Sequence, residues 1–159
     1  MGTTTADAAD RMAVTDVINR YAFAIDTRNF DDLNQVFDTE IGTDFSSFGG
    51  KPLRCTRQEW IDTVIRTVGG LDATQHLIGN CMHRIDGDTA NMIAYLQAYH
   101  GFAASAGESE YSVGGYYDID LTRTAAGWRI SRYTLHLLWR RGNPEIIREA
   151  YRAMKAASA

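Results

Sequence analysis

The 159-residue sequence predicts an α+β fold, a cone-shaped α+β barrel with N-terminal helices packed on a curved, mostly antiparallel sheet. Three observations predict it. Up to residue 73 apolar side chains recur at spacings of three and four, the period of a helix with one buried face. Beyond residue 73 the period drops to two over four long segments. A short amphipathic stretch then closes the chain.

Each element has a local reason. Residues 1–6 are small and polar and predict a frayed start, so the single domain expected here runs over 7–156. In 7–26, Val14, Val17, Ile18, Tyr21, Ala22 and Ile25 form one apolar stripe. Asn29 reads as the N-cap of a short second helix, with Asp31 and Asp32 in its first turn and Leu33, Val36 and Phe37 on its buried face. Residues 40–48, with Ile41, Phe45 and Phe48, read as an extended segment ending in Gly49-Gly50. Thr56 and Glu59 form a capping box ahead of a third helix carrying Trp60, Ile61, Val64, Ile65 and Val68, which Gly69-Gly70 stops. Strands are expected over 74–85, 89–103, 110–122 and 127–139, the first two joined by the Asp86-Gly87 turn. Asn143-Pro144 opens a last helix over 145–155. Strands this long curl, and helices on the concave face leave room for a small internal cavity.

Composition excludes several functions. Sixteen Lys+Arg against twenty Asp+Glu give a net charge of −4, so no nucleic-acid partner and no anionic membrane surface is expected. No apolar run is long enough to span a bilayer, and no secretory leader is visible, so a cytoplasmic location is expected. Met1-Gly2 fails as an acylation start because Ala6 stands where Ser or Thr is needed. Cys55 and Cys81 read as reduced thiols. Phosphate-binding glycine motifs, a serine nucleophile elbow and metal-ligand spacings are all missing, so no cofactor and no metal are expected.

Titratable residues on apolar faces mark the candidate site. Asp26, at the end of the first helix, either caps the following turn or, with Tyr21, flanks a cavity mouth. His76 is either a structural histidine or part of a site. The face of the second long strand reads Ala90, Met92, Ala94, Leu96, Ala98, His100, Phe102, small residues that suggest a lined hollow, unless His100 faces solvent at the strand end. Tyr117 shares a face with Val113, Gly115, Ile119 and Leu121, so its hydroxyl needs a partner. Arg132 shares a face with Trp128, Ile130, Thr134 and His136, either as a pocket cation or as a stem laid over the sheet. Phe45, Trp60, Phe102, Tyr117 and Arg132 are the expected substrate-binding residues. Tyr95 and Tyr99, with Tyr133 or Trp139, give an apolar outer face and an expected homodimer or homotrimer.

Several segments together carry a family likeness: the run from Tyr21 through Asp26 to Leu33, Thr74-Gln-His76-Leu-Ile-Gly79-Asn80, Ile85-Asp-Gly-Asp-Thr-Ala90, Ala98-Tyr99-His100, and Gly115-Tyr-Tyr117-Asp. Over roughly residues 10–140 the chain resembles the nuclear transport factor 2-like, or cystatin-like α+β barrel, superfamily. Within it the chain resembles most the SnoaL-like group that includes scytalone dehydratase, bile acid 7α-dehydratase and the dehydrochlorinase-type lyases. The resemblance implies an Asp26–His76 dyad, with Tyr21 and His100 as further catalytic residues. Ile25 and Phe45 stand where scytalone dehydratase has tyrosines. The implied activity is that of a cofactor-independent lyase, dehydratase-like, on a small hydrophobic, oxygenated ring compound. His76 would be its general base, and Tyr21, Tyr117 or His100 could act as acid. A ketosteroid-isomerase-like enzyme with Asp44 as base, a polyketide-cyclase-like enzyme and a non-catalytic small-ligand carrier are the alternatives.

Overall fold

A computed structural model describes residues 5–158, with side chains described from residue 8. Helix α1 runs over Thr5–Asp26, so it begins inside the segment expected to fray; residues 1–4 lie outside the described residues. The chain then makes a 3-10 turn over Phe30–Gln35 and strand β1 over Phe37–Asp44. A second 3-10 turn, Ser46–Phe48, and strand β2, Leu53–Thr56, lead into helix α2, Arg57–Val68. The meander follows as β3 Ala73–Asp86, β4 Thr89–Gly101, β5 Glu110–Thr124 and β6 Gly127–Gly142, and helix α3 covers Ile146–Ala157.

The six strands form one sheet in the order β2-β1-β6-β5-β4-β3. All neighbours are antiparallel except β1 and β6, which run parallel. Helix α1 packs on β3 and β6, while α2 packs on β1 and α3. The whole expected stripe of α1, from Val14 to Ile25, is buried, and so is the face of β4 from Ala90 to His100.

The expected second helix is only a 3-10 turn. Its last two apolar residues, Val36 and Phe37, are fully buried, yet Phe37 already belongs to β1, where it pairs with Ile130 of β6. Asn29 makes no side-chain cap. The strand expected over 40–48 sits three residues earlier, and its tail is the second 3-10 turn. Pairing with β6 thus overrides a local helical signal. The last helix starts one residue later than expected, with Glu145 rather than Asn143 at its N-cap position, and Asn143 Oδ1 accepts the Glu145 N–H at 3.0 Å and holds the turn before it. The capping box of α2 is as expected: Thr56 N donates to Glu59 Oε2 at 2.8 Å and Glu59 N to Thr56 Oγ1 at 3.3 Å.

Three bulges reverse the in-out alternation. In β6, Ile130 pairs with Leu121 and Arg132 with Asp120, which leaves Ser131 extra. Trp128 and Ile130 point inward before it, Tyr133 and Leu135 after it. Tyr133, expected on the outer face, is therefore fully buried, and Arg132 is turned out. A second extra residue, Leu138, lets Trp139 lie across Gly114, where a Cβ would collide with the indole. In β3 a register shift between Gly79 and Met82, with Asn80 at φ 49°, leaves Met82 exposed.

Replacing Thr56 by Ala removes the hydroxyl that accepts the Glu59 N–H and leaves only the backbone half of the capping box, so urea unfolding should show a loss of about 1 kcal/mol with an unchanged m-value.

Candidate active site

The last residue of α1 and the beginning of β3 meet through one carboxylate. Asp26 Oδ1 accepts the His76 Nδ1–H at 2.8 Å and the Thr74 hydroxyl at 2.9 Å, and Asp26 Oδ2 accepts the His76 backbone N–H at 2.7 Å. Strand β3 is a sheet edge, so this backbone donor faces away from β4, and the carboxylate satisfies it. Burial raises the Asp26 pKa, but the hydrogen bonds from His76 and Thr74 and the attraction of His76 outweigh it and hold the carboxyl below its usual value. With Nδ1–H committed to Asp26, the imidazole presents Nε2 as its basic nitrogen.

Arg28 and Thr74 hold the carboxylate, and neither was singled out from the sequence. The Arg28 guanidinium donates to Thr74 Oγ1 at 2.8 Å, to the Leu71 carbonyl at 3.0 Å and to the Ile25 carbonyl. Thr74 thus accepts from Arg28 and donates to Asp26. Arg28 adopts a left-handed backbone, φ 62°, which costs a non-glycine residue roughly 1–2 kcal/mol. The three hydrogen bonds of its side chain offset that cost. No sequence signal marks a left-handed arginine.

A cavity of about 370 Å³ lies beside the dyad. It is bounded by Tyr21, Ile25, Phe45, Trp60, His76, Leu96, Ala98, His100, Val113 and Tyr117, with Thr43, Thr63, Thr67 and Lys51 as further polar groups. His100, 5% exposed, donates Nδ1–H to the Tyr111 carbonyl at 3.1 Å, and its ring crosses that of His76 at a centroid distance of 5.7 Å. Burial, helped by the nearby His76, lowers the His100 pKa to about 4. It is therefore neutral at pH 7, and its free Nε2 accepts hydrogen bonds rather than donating them.

Tyr21 meets Tyr117 and Tyr133 edge to face and those two are tilted against each other, at centroid distances of 4.7 to 6.4 Å. Burial pushes Tyr21 up to about 12 and the other two well above the usual tyrosine value, so all three stay phenols. Their hydroxyls lie close enough to interact, yet the Tyr133 hydroxyl has no well-formed hydrogen bond. The Trp60 Nε1–H is also buried without an acceptor. Such an unmet donor costs ~1–3 kcal/mol.

The structure therefore brings together Asp26, His76, Tyr21, His100, Phe45, Trp60 and Tyr117 from the expected set. Two expected residues are elsewhere. Arg132, turned outward by the β6 bulge, bonds Asp120 at 2.6 Å and Asp118 at 3.1 Å on the outer face. Phe102 is buried beyond the end of β4, at the head of the loop to β5, and does not border the cavity, because strand alternation stops at Gly101. Asp44 accepts the Ser46 N–H at 2.9 Å, steadies the turn after β1 and also lies outside the cavity lining. Among the described residues, no cluster of three or more His, Cys, Asp or Glu side chains is arranged to hold a metal ion.

Comparison with known proteins agrees with this architecture. A family model described as a SnoaL-like domain matches residues 6–134. An uncharacterized protein of Mycobacterium tuberculosis strain H37Rv is 34% identical over 128 residues, covering 80% of this chain and 84% of that protein. The crystal structure of the Kfla4162 protein from Kribbella flavida superimposes with a TM-score of 0.83 at 29% identity, over 89% of this chain and 98% of that one. The hexachlorocyclohexane dehydrochlorinase LinA-type3 from Novosphingobium barchaimii shares the fold, with a TM-score of 0.72 at 14% identity over 86% of this chain and 91% of that one.

The depressed His100 pKa sets a stability trend. Between pH 6.5 and about 4 the unfolded chain binds a proton on this histidine that the folded chain refuses. Stability should therefore fall as pH is lowered through that window, with His100 contributing up to ~1.4 kcal/mol per pH unit. Urea unfolding at stepped pH should show that portion of the slope vanish in His100→Gln.

Proposed function

We propose, for a chain that belongs to the SnoaL-like domain family, that it is a cofactor-independent hydro-lyase acting on a small hydrophobic, oxygenated ring compound. The observation that supports this most directly is the 2.8 Å bond between Asp26 and His76 at the wall of an apolar cavity. A histidine with Nδ1–H held by an ionised carboxylate is a base at Nε2 whose protonated form is stabilised in place. The cavity volume is at the low end for ligand pockets, which suits one or two fused rings.

The chemistry follows from the groups present. His76 Nε2 takes a proton from carbon next to a carbonyl, and the electron pair moves onto the carbonyl oxygen. The neutral phenols Tyr21 and Tyr117, which line the cavity and lie within electrostatic reach of Asp26, donate hydrogen bonds to that oxygen as its charge grows. The electrons return, a carbon–carbon double bond forms, and the β-hydroxyl leaves. His76 gives its proton to the departing oxygen, so one imidazole carries the proton from carbon to water. His100 is neutral and has only an acceptor to offer, so its role is to orient the substrate hydroxyl rather than to act as acid. Exclusion of water from the apolar walls strengthens each of these contacts.

The test is a panel of cyclic β-hydroxyketones incubated with the purified protein, followed by mass spectrometry for loss of one water. With a substrate in hand, His76→Ala and Asp26→Asn should each lower kcat by roughly 10²–10⁴. Turnover that survives both substitutions would end this reading. Thr74→Val removes one of the three hydrogen bonds to the carboxylate and breaks its link to Arg28, so kcat should fall by about 10-fold or more while KM holds.

A further inference from the structure

The catalytic reading uses the side of the cavity next to His76 and leaves the opposite wall without a role. Trp60 and Phe45 border the cavity there, and Phe37 and Tyr133 back them from behind. Trp60, in the first turn of α2, meets Phe37, Phe45 and Tyr133 at centroid distances of 6.5, 5.2 and 6.3 Å. Tyr133 in turn contacts Tyr21 and Tyr117, so a row of rings leads from the dyad to Trp60. Trp60 has no ring contact with either histidine among the described residues, and it stands at the far end of that row.

Trp60 is 7% exposed and lines the cavity, and its Nε1–H has no acceptor. Its neighbour Tyr133 carries a second buried hydroxyl without a well-formed bond. An indole N–H can only donate, so nothing in its own ring offsets the loss of water. The one oxygen on the surrounding rings is the Tyr133 phenol, and it makes no hydrogen bond to the indole. The rings of Phe37, Phe45 and Tyr133 pack around the indole, so turning it out to solvent would forfeit those contacts. What the protein does not supply is an acceptor oxygen that reaches the Nε1–H, and the cavity is where one can come from.

We propose that the ligand carries a second hydrogen-bond-accepting oxygen, an ether or carbonyl on the ring edge away from the reacting carbon, and that the Trp60 Nε1–H receives it. Trp60 is then the specificity-determining residue that separates dioxygenated ring compounds from singly oxygenated ones of the same shape. The proposal rests on the reading of this cavity as the ligand site, but it needs no catalysis by His76.

The experiment uses a matched pair of probes, 6-methoxy-1-tetralone and 6-ethyl-1-tetralone, which differ by an ether oxygen in place of a methylene. Titration calorimetry on the full chain should give wild type an advantage of about five- to tenfold for the methoxy compound. In Trp60→Phe, which keeps an aromatic ring and loses the N–H, that advantage should shrink to within about twofold, whatever the smaller ring does to both affinities together. The wild-type protein labelled with 15N-tryptophan provides a readout that needs no variant. The Trp60 indole resonance should move downfield with the methoxy probe and not with the ethyl one. Equal binding of the two probes by wild type, an advantage retained in Trp60→Phe, or an indole resonance indifferent to the ether oxygen would each overturn the proposal. If neither tetralone binds, the cavity is no site for such rings and the proposal falls with it. The ratio of the two affinities is the readout: His76→Ala, which alters the cavity wall for both probes alike, should keep the methoxy preference while losing turnover, so that loss bears on the catalytic reading alone.

Discussion

Everything in the site depends on the Asp26 carboxylate. It is the last residue of α1, and it accepts three donors from two residues of an edge strand. A helix end and a sheet edge both carry unpaired backbone groups, and each is ordinarily a structural liability. Here one side chain satisfies the edge and, by the same contacts, fixes the tautomer of an imidazole at the cavity wall. Removing the carboxylate would thus loosen the junction of α1 with β3 as well as the dyad. That double duty explains why Arg28 is held in a left-handed conformation next door. Its guanidinium joins the end of α1, the segment leading to β3 and Thr74, so the carboxylate has little freedom to turn away.

The sheet supplies the second constraint. Its strands are long enough that strict alternation would put Arg132 inside and Tyr133 outside. One extra residue, Ser131, exchanges them. The result is an inner face with a third phenol and no arginine, and an outer face where Arg132 is held by Asp118 and Asp120. The cavity therefore has no cation in its depth, and Lys51 is the one lysine or arginine among its described lining residues. An apolar chamber with neutral donors favours a neutral ligand whose charge develops only during reaction, because a fixed cation would bind a ground-state anion instead.

How much of this the sequence carries can be argued residue by residue. The stripe of α1 and the inward face of β4 are legible because each keeps one period over its whole length. The capping box at Thr56 is legible because it is local. Phe37 is misread because its helical spacing is local whereas its partner, Ile130, lies far along the chain. Arg132 and Tyr133 are misread for one shared reason: a bulge adds a residue without changing composition, and every later side chain then changes face. The dyad itself is not a product of periodicity. Asp26 reads equally well as a turn cap, and only the family likeness pairs it with His76 before the fold is known.

The two histidines show how one cavity sets two protonation habits. Their rings are 5.7 Å apart, so a charge on both would be repulsive in a poorly solvated space. His76 has the Asp26 carboxylate as its Nδ1 partner. His100 has only the Tyr111 carbonyl, a dipole, and burial keeps it neutral. The asymmetry follows from the partners and not from the imidazoles. It also orders the events: a proton arriving at His76 is held by Asp26 and finds no easy exit through His100, whose protonated form is disfavoured next to a charged neighbour. The proton must either return to carbon or pass to an oxygen of the ligand. On the proposed reading, such a site favours an elimination or an isomerisation within one bound molecule over exchange with solvent, and the choice between those two outcomes belongs to whichever leaving group the ligand brings.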